Sequence, residues 1–388
     1  MLGFQGISRK IGHSLGVAIT VSPADTLEEP LPTDLDGVRD AVNGLLAGYL
    51  GHRVTEACGT DRDFAAELCA RMSAFTLHGG KGLRSVLAWW GWLAGGGADT
   101  GPGARSALRA CSAVEVLQSF ALAHDDVMDA APLRRGAPSF HTVYTTQHRE
   151  RGLRGDARRY GESLAILVGD LAMVWADDLL HESLADLPTG SAAHAVWRDM
   201  RTEVIAGQFL DLSAQAHGDR SEEGAIRIDQ LKTATYTVER PLHMGAVMAG
   251  TDEGTVTALR AYGTDVGVAF QLRNDLMDAY GAPDHTGKRT GEDLREGKNT
   301  LLLACGVRMA AETGDLAAQR VLARVGHPSE RVDAEEAARA LERVGAREEV
   351  RGRCRLLAER GLGRIRGLDL HPAVSEGLHR FAETAART

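Results

Sequence analysis

The residues of this chain best equipped for chemistry are carboxylates grouped in two short stretches. The first, His124-Asp125-Asp126-Val127-Met128-Asp129, closes an apolar run from Ala113 to Ala123 whose small and aliphatic residues favour a buried helix. On a helix, Asp125 and Asp129 share a face at i and i+4, while Asp126 projects about 100° away. Left alone, three carboxylates at the end of a buried helix repel one another and lose hydration. A hard divalent cation reverses the sign, because oxygen ligands at this spacing suit Mg²⁺ that keeps waters and bridges to substrate phosphates.

The second stretch, Phe270-Gln271-Leu272-Arg273-Asn274-Asp275-Leu276-Met277-Asp278, again ends an apolar helix-like run, and Asn274 and Asp278 repeat the i, i+4 relation. A lone Asp-Asp pair is usually a solvated helix face. Two motifs, each closing an apolar helix and each followed by basic residues, resist that reading. The cations have their own settings. His78-Gly79-Gly80-Lys81-Gly82-Leu83-Arg84 is a glycine turn entering the apolar helix Val86 to Leu93. Free amides and positive dipole at such a junction favour an anion, and Lys81 and Arg84 add full charges. Two solvated cations at a helix start are the plain alternative. Pro132 ends the run after the first motif, and Leu133-Arg134-Arg135-Gly136-Ala137-Pro138 forms a turn whose guanidinium groups match phosphate oxygens in bidentate fashion.

The elements that must position these groups are helices. Composition is 44% hydrophobic and 25% charged over 388 residues, with Ala, Leu, Arg and Glu outweighing β-branched and aromatic types. Residues 22–34 read as a linker, and Leu35 to Leu50 as an amphipathic helix. Residues 162–183, Glu203 to Leu212 and Thr257 to Asp278 are further helices, and helical spacing returns beyond about residue 300. Pro241 marks a kink or stop after Leu231-Lys232-Thr233. The basic segment His148 to Arg159 reads as a solvated loop, and Asp177-Asp178 as structural, because no basic turn follows that pair. Put on facing helices with Lys81, Arg84, Arg134, Arg135, Lys232, Lys288 and Lys298, the two acidic clusters describe a magnesium-dependent diphosphate site in a helical bundle.

Other classes are disfavoured. A net charge of −9 argues against a nucleic-acid binder with a broad basic surface. No apolar run approaches the roughly 18 residues of a membrane span, and residues 1–21 lack the sustained apolar region of a signal peptide. Five scattered cysteines without a CxxC pair read as reduced thiols of a cytoplasmic protein.

The blocks Gly79 to Arg84, Asp125 to Asp129 with Leu133-Arg134-Arg135-Gly136, Gly207-Gln208-Phe209-Leu210-Asp211, Lys232-Thr233, the second acidic stretch, and Gly287-Lys288 through Gly297-Lys298 occur in one characteristic order. In them the chain resembles the all-trans isoprenyl diphosphate synthases, or polyprenyl synthetases. It is most similar to actinobacterial geranylgeranyl diphosphate synthases, whose insertion the 148–159 segment resembles. The resemblance implies an all-α fold, a single large helical bundle of the isoprenoid synthase type with a central active-site cavity over 35–388, preceded by a poorly ordered extension and linker at 1–34. It implies a homodimer whose substrates are isopentenyl diphosphate and an allylic prenyl diphosphate. The allylic substrate ionises, the isopentenyl double bond attacks the carbocation, and a proton is lost.

Carried over by position, the resemblance gives Asp125 and Asp129 two metals, supported by Asp126, and gives Asn274, Asp275 and Asp278 a third Mg²⁺. Arg134, Lys232 and Lys288 grip the allylic diphosphate. Gly80, Lys81, Arg84, Gln118 and Arg135 hold isopentenyl diphosphate, with Gln208 and Lys298 also on the substrate, and Thr233 and Gln271 line the path of the reacting carbons. Two departures stand out: Gly82 occupies a position where a basic residue is common, and Asn274 one where Asp is usual, so the third metal is expected to bind more weakly. Phe120, at about 1.5 Å per residue, lies roughly 7.5 Å down the helix from Asp125, with the small Ala121 beside it. That arrangement looks like the floor of an enzyme stopping at twenty carbons, against a plain core role for Phe120. A farnesyl or longer-chain synthase, a class I terpene cyclase and a non-catalytic subunit are the alternatives. Ala282, at i+8 from Asn274, cannot supply a cyclase's third ligand, and the presence of both acidic motifs counts against a silent subunit.

Overall fold

A computed structural model describes residues 29–78, 80–281, 290–327 and 333–387. The expected Lys288, with Gly287 and Gly79, lies outside the described residues, as does most of the N-terminal extension. The described chain is helical apart from one two-residue-per-strand hairpin. Helix α1 is Leu35–Thr60, and a π-turn at Ala65–Cys69 leads into α2, Ala70–Leu77. Then come α3 (Leu83–Ala94), α4 (Gly101–Met128), the hairpin β1 (Leu133–Arg134) and β2 (Ala137–Pro138), α5 (Phe140–Glu150), α6 (Ala157–Leu184) and α7 (Gly190–His217). Helix α8 (Glu222–Ile228) passes into a π-helix, Asp229–Glu239, and on into α9 (Arg240–Ala249). Helix α10 is Glu253–Tyr280 and α11 is Glu292–Glu296. The chain closes with α12 (Leu301–Thr313), α13 (Leu316–Ala323), α14 (Ala334–Arg343), α15 (Ala346–Ile365) and α16 (Pro372–Ala386).

Local chemistry accounts for where these helices begin. Asp34, Asp156 and Asp252 accept hydrogen bonds from Gly37, Arg159 and Thr255 amides, capping α1, α6 and α10. Residues just before α1 are tied down: Trp89 and Trp90 each donate an indole N–H, at 2.9 Å, to the carbonyls of Pro32 and Thr33. The basic 148–159 segment is not one loop. Its ends belong to α5 and α6, because His148 is buried and its Nε2 bonds the Arg154 carbonyl, which folds the connection back.

Helix α4 packs along α6, and α10 along α15 and the π-helix, which α7 flanks on its other side. Wholly buried Trp89, Trp90, Trp197, Tyr144 and Tyr262 mark the core, and Tyr262 donates its hydroxyl to the Leu378 carbonyl. A second apolar cluster gathers α12 to α15 against the end of α10. Pro241 neither stops nor kinks the chain into a loop. It sits in the first turn of α9, where its missing N–H is tolerated, after eleven residues of π-helix. Gly207 makes that arrangement possible, since a Cβ there would collide with the backbone nitrogen of Lys232. No described helix is long and apolar enough to cross a membrane.

Candidate active site

Helix α4 carries the first acidic motif to its C-terminal end, where Asp129 is the capping position. The hairpin that follows turns on Arg135 and Gly136, both with positive φ (55° and 74°), as a two-residue loop between paired strands requires. That turn folds Arg134 back over its own helix. Its Nε donates to Asp126 Oδ1 at 2.7 Å and its Nη2 to Asp125 Oδ2 at 3.0 Å.

Lys232 enters from the π-helix. Its ammonium donates to Asp211 Oδ2 at 2.7 Å and to Asp125 Oδ1 at 3.3 Å, joining α7 to α4. Lys298, just past α11, donates to Asp129 Oδ2 at 2.7 Å and lies 3.1 Å from Glu296 and 3.8 Å from Asp293. Burial works against the charge on Lys298, but Asp293, Asp129, Asp125 and Glu296 outweigh it and hold the ammonium protonated. Burial likewise lifts Asp125, yet Lys232, Arg134 and Lys298 overcompensate and bring its carboxyl down to about 2. Asp126 and Asp129 move the other way, raised by burial and by the Asp125 charge beside them.

On α10, Gln271 donates Nε2 to Asp275 Oδ1 at 2.7 Å. Burial, then the neighbouring Asp229 and Asp293, push the Asp275 carboxyl well above the usual range. Asp278 is used differently from its partner: its oxygens accept the amides of Glu292 and Asp293, at 3.3 and 3.1 Å, and anchor α11. Asn274 is half-buried on the same helix. Carboxylates outnumber cations here among the described residues. Buried oxygens of Asp126, Asp229 and Asp275 have no hydrogen-bond partner. An all-oxygen donor set with unpartnered buried oxygens fits hard divalent cations such as Mg²⁺. No group of three His, Cys, Asp or Glu side chains among the described residues closes around a single ion position.

Two further guanidinium groups are held on aromatic faces. The Arg84 guanidinium covers the Tyr236 ring at 4.7 Å and donates to Thr237 Oγ1 at 2.8 Å. Arg135 covers Phe75 at 4.8 Å and donates to its carbonyl at 3.3 Å. Gly80 leaves room for that guanidinium, as a Cβ there would stand 3.1 Å from it. Lys81 is exposed at the entry to α3, and Gln118 is buried on α4 with its Oε1 unpartnered. Thr233 follows Lys232 in the π-helix, and Gln208 on α7 donates to Met128 Sδ at 3.4 Å. Phe120 is 8% exposed and packs edge-on against His124, ring centres 4.9 Å apart, with Ala121 half-buried beside it. Asp177 and Asp178 lie outside the site, held by Trp197 and Arg201 and by Arg53.

Sequence reasoning missed four acidic members. Asp293 and Glu296 lie inside the block that runs from Gly287 to Lys298, and Asp211 closes the block that begins at Gly207, but nothing in those blocks gave them a role, and Asp229 carries no motif at all. Glu115, which accepts from Ser85 at 3.3 Å behind Arg135, had a signal: it is the one charged residue in the apolar run Ala113 to Ala123.

The polyprenyl synthetase family model matches residues 66–341. A short chain isoprenyl diphosphate synthase of Methanothermobacter thermautotrophicus is 32% identical over 74% of this chain and 80% of its own length. A geranylfarnesyl diphosphate synthase of Natronomonas pharaonis is 34% identical over 50% of this chain and 52% of that protein. Among solved structures, a geranylgeranyl pyrophosphate synthase from Corynebacterium glutamicum, complexed with isoprenyl diphosphate and magnesium, superposes with a TM-score of 0.84 and 36% identity. It covers 91% of this chain and 99% of that one. With the family model matching most of the helical domain and a curated relative 32% identical over 74% of the chain, the chain belongs to the polyprenyl synthetase family, and its enzyme class is transferase.

Proposed function

We propose that this chain condenses isopentenyl diphosphate with an allylic prenyl diphosphate, with Mg²⁺ at both acidic motifs, and that its main product is geranylgeranyl diphosphate. The observation that carries the reading is the bridge made by Lys232, which links Asp125 of the first motif to Asp211 beside buried, unpartnered carboxylate oxygens. In the reaction the allylic C–O bond breaks and its electron pair leaves with diphosphate. The isopentenyl double bond then attacks the carbocation, forming the new C–C bond, and a proton is lost. Bound magnesium, three ions in all, would supply Lewis-acid stabilisation of the departing diphosphate.

The chain's own residues do the rest. Arg134 and Lys232, fixed by Asp125, Asp126 and Asp211, present preorganised charge to the allylic diphosphate. Arg84 and Arg135, held on aromatic faces, receive the second diphosphate, which a cyclase does not need. Phe120 limits the length of the hydrocarbon tail. The face of α6 bearing Ile166, Leu167 and Val174, and that of α7 bearing Ile205, Phe209 and Leu212, are exposed and apolar on adjoining helices. A second copy of the chain is the partner that such a face fits. Unpaired thiols at Cys69, Cys111, Cys305 and Cys354 accord with a cytoplasmic setting.

The test is analysis of the prenyl alcohols released by phosphatase after incubation with magnesium, isopentenyl diphosphate and each of the dimethylallyl, geranyl and farnesyl diphosphates. Geranylgeraniol as the main alcohol supports the full reading; farnesol or a longer alcohol keeps the condensation and rejects the assigned length.

A further inference from the structure

Asp229 is the first residue of the π-helix that carries Lys232, and its side chain caps nothing. It is 5% exposed, and its Oδ2 has no hydrogen-bond partner. The carboxylates of Asp211 and Asp293 lie within electrostatic reach of it, and Asp229 in turn acts on Asp275 of the second acidic motif. The nearby ammonium groups are already committed: Lys232 to Asp211 and Asp125, Lys298 to Asp129 and Glu296. The π-helix that carries it is packed closely on both sides. Gly207 brings α7 against Lys232, and Gly267 brings α10 against Ala234, so that a Cβ at either glycine would strike the π-helix. A carboxylate buried among others without a cation costs stability unless a ligand offsets it. Asp275 beside it also keeps an unpartnered buried oxygen, Oδ2.

We propose that Asp229 is an acidic positioning residue of the second magnesium site, supplying the negative charge and oxygen acceptor that Asn274 does not. The inference rests on the magnesium-dependent reading above. Asn274 offers a neutral amide where its motif neighbours Asp275 and Asp278 are acids, and Asp278 spends its oxygens on the amides of α11. Asp229 returns one charge to the same cluster from a different element. Because magnesium retains waters, an acceptor in this position acts on the ion's water shell as well as through its field.

The experiment compares the full-length wild-type chain with Asp229→Asn, Asn274→Asp and the double variant, each by thermal melting in EDTA and during titration with Mg²⁺ in the presence of inorganic pyrophosphate. Asp229→Asn removes the buried charge and keeps the shape, so its melting temperature in EDTA is expected to rise. The Mg²⁺ concentration giving half the stabilising shift is expected to rise by about tenfold, the usual effect of losing an outer-shell partner. Adding Asn274→Asp to Asp229→Asn is expected to recover most of that loss, whereas on the wild-type background Asn274→Asp changes the requirement much less. Should Asp229→Asn not fold, Asp229→Ser carries the same comparison. An Asp229 variant that melts lower in EDTA and keeps the wild-type magnesium requirement would overturn the inference while leaving the synthase reading intact. A wild-type chain indifferent to magnesium and pyrophosphate would overturn that reading and this inference together.

Discussion

Lys298 reaches Asp129 across the mouth of the site, Nζ to Oδ2 at 2.7 Å, and so ties the segment after α11 to the end of α4. Neither residue can be solvated instead, for the two side chains are 13% and 7% exposed. The contact therefore couples the position of a first-motif carboxylate to the element that Asp278 anchors on the second.

Replacing Lys298 by Ala leaves Asp129, Asp293 and Glu296 without their shared cation. Breaking one side of a buried ion pair costs about 3 kcal/mol or more, and urea denaturation in EDTA should show a loss of that order. Activity should fall through kcat as well as KM, since Asp129 loses its orientation. A variant with wild-type stability and turnover contradicts the role given to this lysine.

Phe120→Ala opens the helix face below the first motif. Arg109 lies three turns further down on that face and lines a cavity of about 430 Å³ with Leu46, Tyr49 and Leu179. Products longer than those of the wild type are expected, read by chromatography of the dephosphorylated alcohols. An unchanged product distribution returns Phe120 to an ordinary core role.

Away from the site, burial and the adjacent Arg260 and Arg240 pull the His243 imidazole down to about 4. Arg240 Nη1 stands 3.1 Å from its Nδ1, so that nitrogen is the acceptor of a neutral ring. A folded value below the unfolded one means the unfolded chain binds the extra proton. This contribution is complete above an unfolded value of about 6.5 and is lost as pH falls from there towards 4. His243→Gln should therefore lose less stability than wild type between about pH 7 and pH 5, measured by urea denaturation at each pH. Parallel losses in the two proteins would refute this assignment.

Charges placed on the apolar faces of α6 and α7 should abolish the self-association proposed for them. Leu167→Glu with Phe209→Glu, positions that are 51% and 66% exposed, is expected to sediment as a monomer with unchanged helical circular dichroism. A variant with the same sedimentation coefficient as wild type would show that the partner copy packs elsewhere, or not at all.

The helices and the chemistry of the first motif were legible because each rests on short-range pattern. Asp125, Asp129 and Arg134 are close in sequence, and a helix followed by a tight turn brings them together with little outside help. Lys232 was legible as a residue but not as a bridge, since Asp211 belongs to another helix. Asp229 was invisible for a physical reason: the π-helix breaks the 3.6-residue period by which a buried face is recognised, and Ile226-Arg227-Ile228-Asp229-Gln230 then reads as amphipathic surface. Asp293 and Glu296 lie in a run of charges, and only the fold reveals that Lys298 turns them inward.

The most direct test of the central claim is release of inorganic pyrophosphate by the purified chain, measured with an allylic diphosphate alone, with isopentenyl diphosphate alone, and with both, in magnesium or in EDTA. Condensation predicts release only when both substrates and magnesium are present, matched mole for mole by a longer prenyl diphosphate. Release from the allylic diphosphate alone, accompanied by a cyclic hydrocarbon, or no release under any condition, would contradict it.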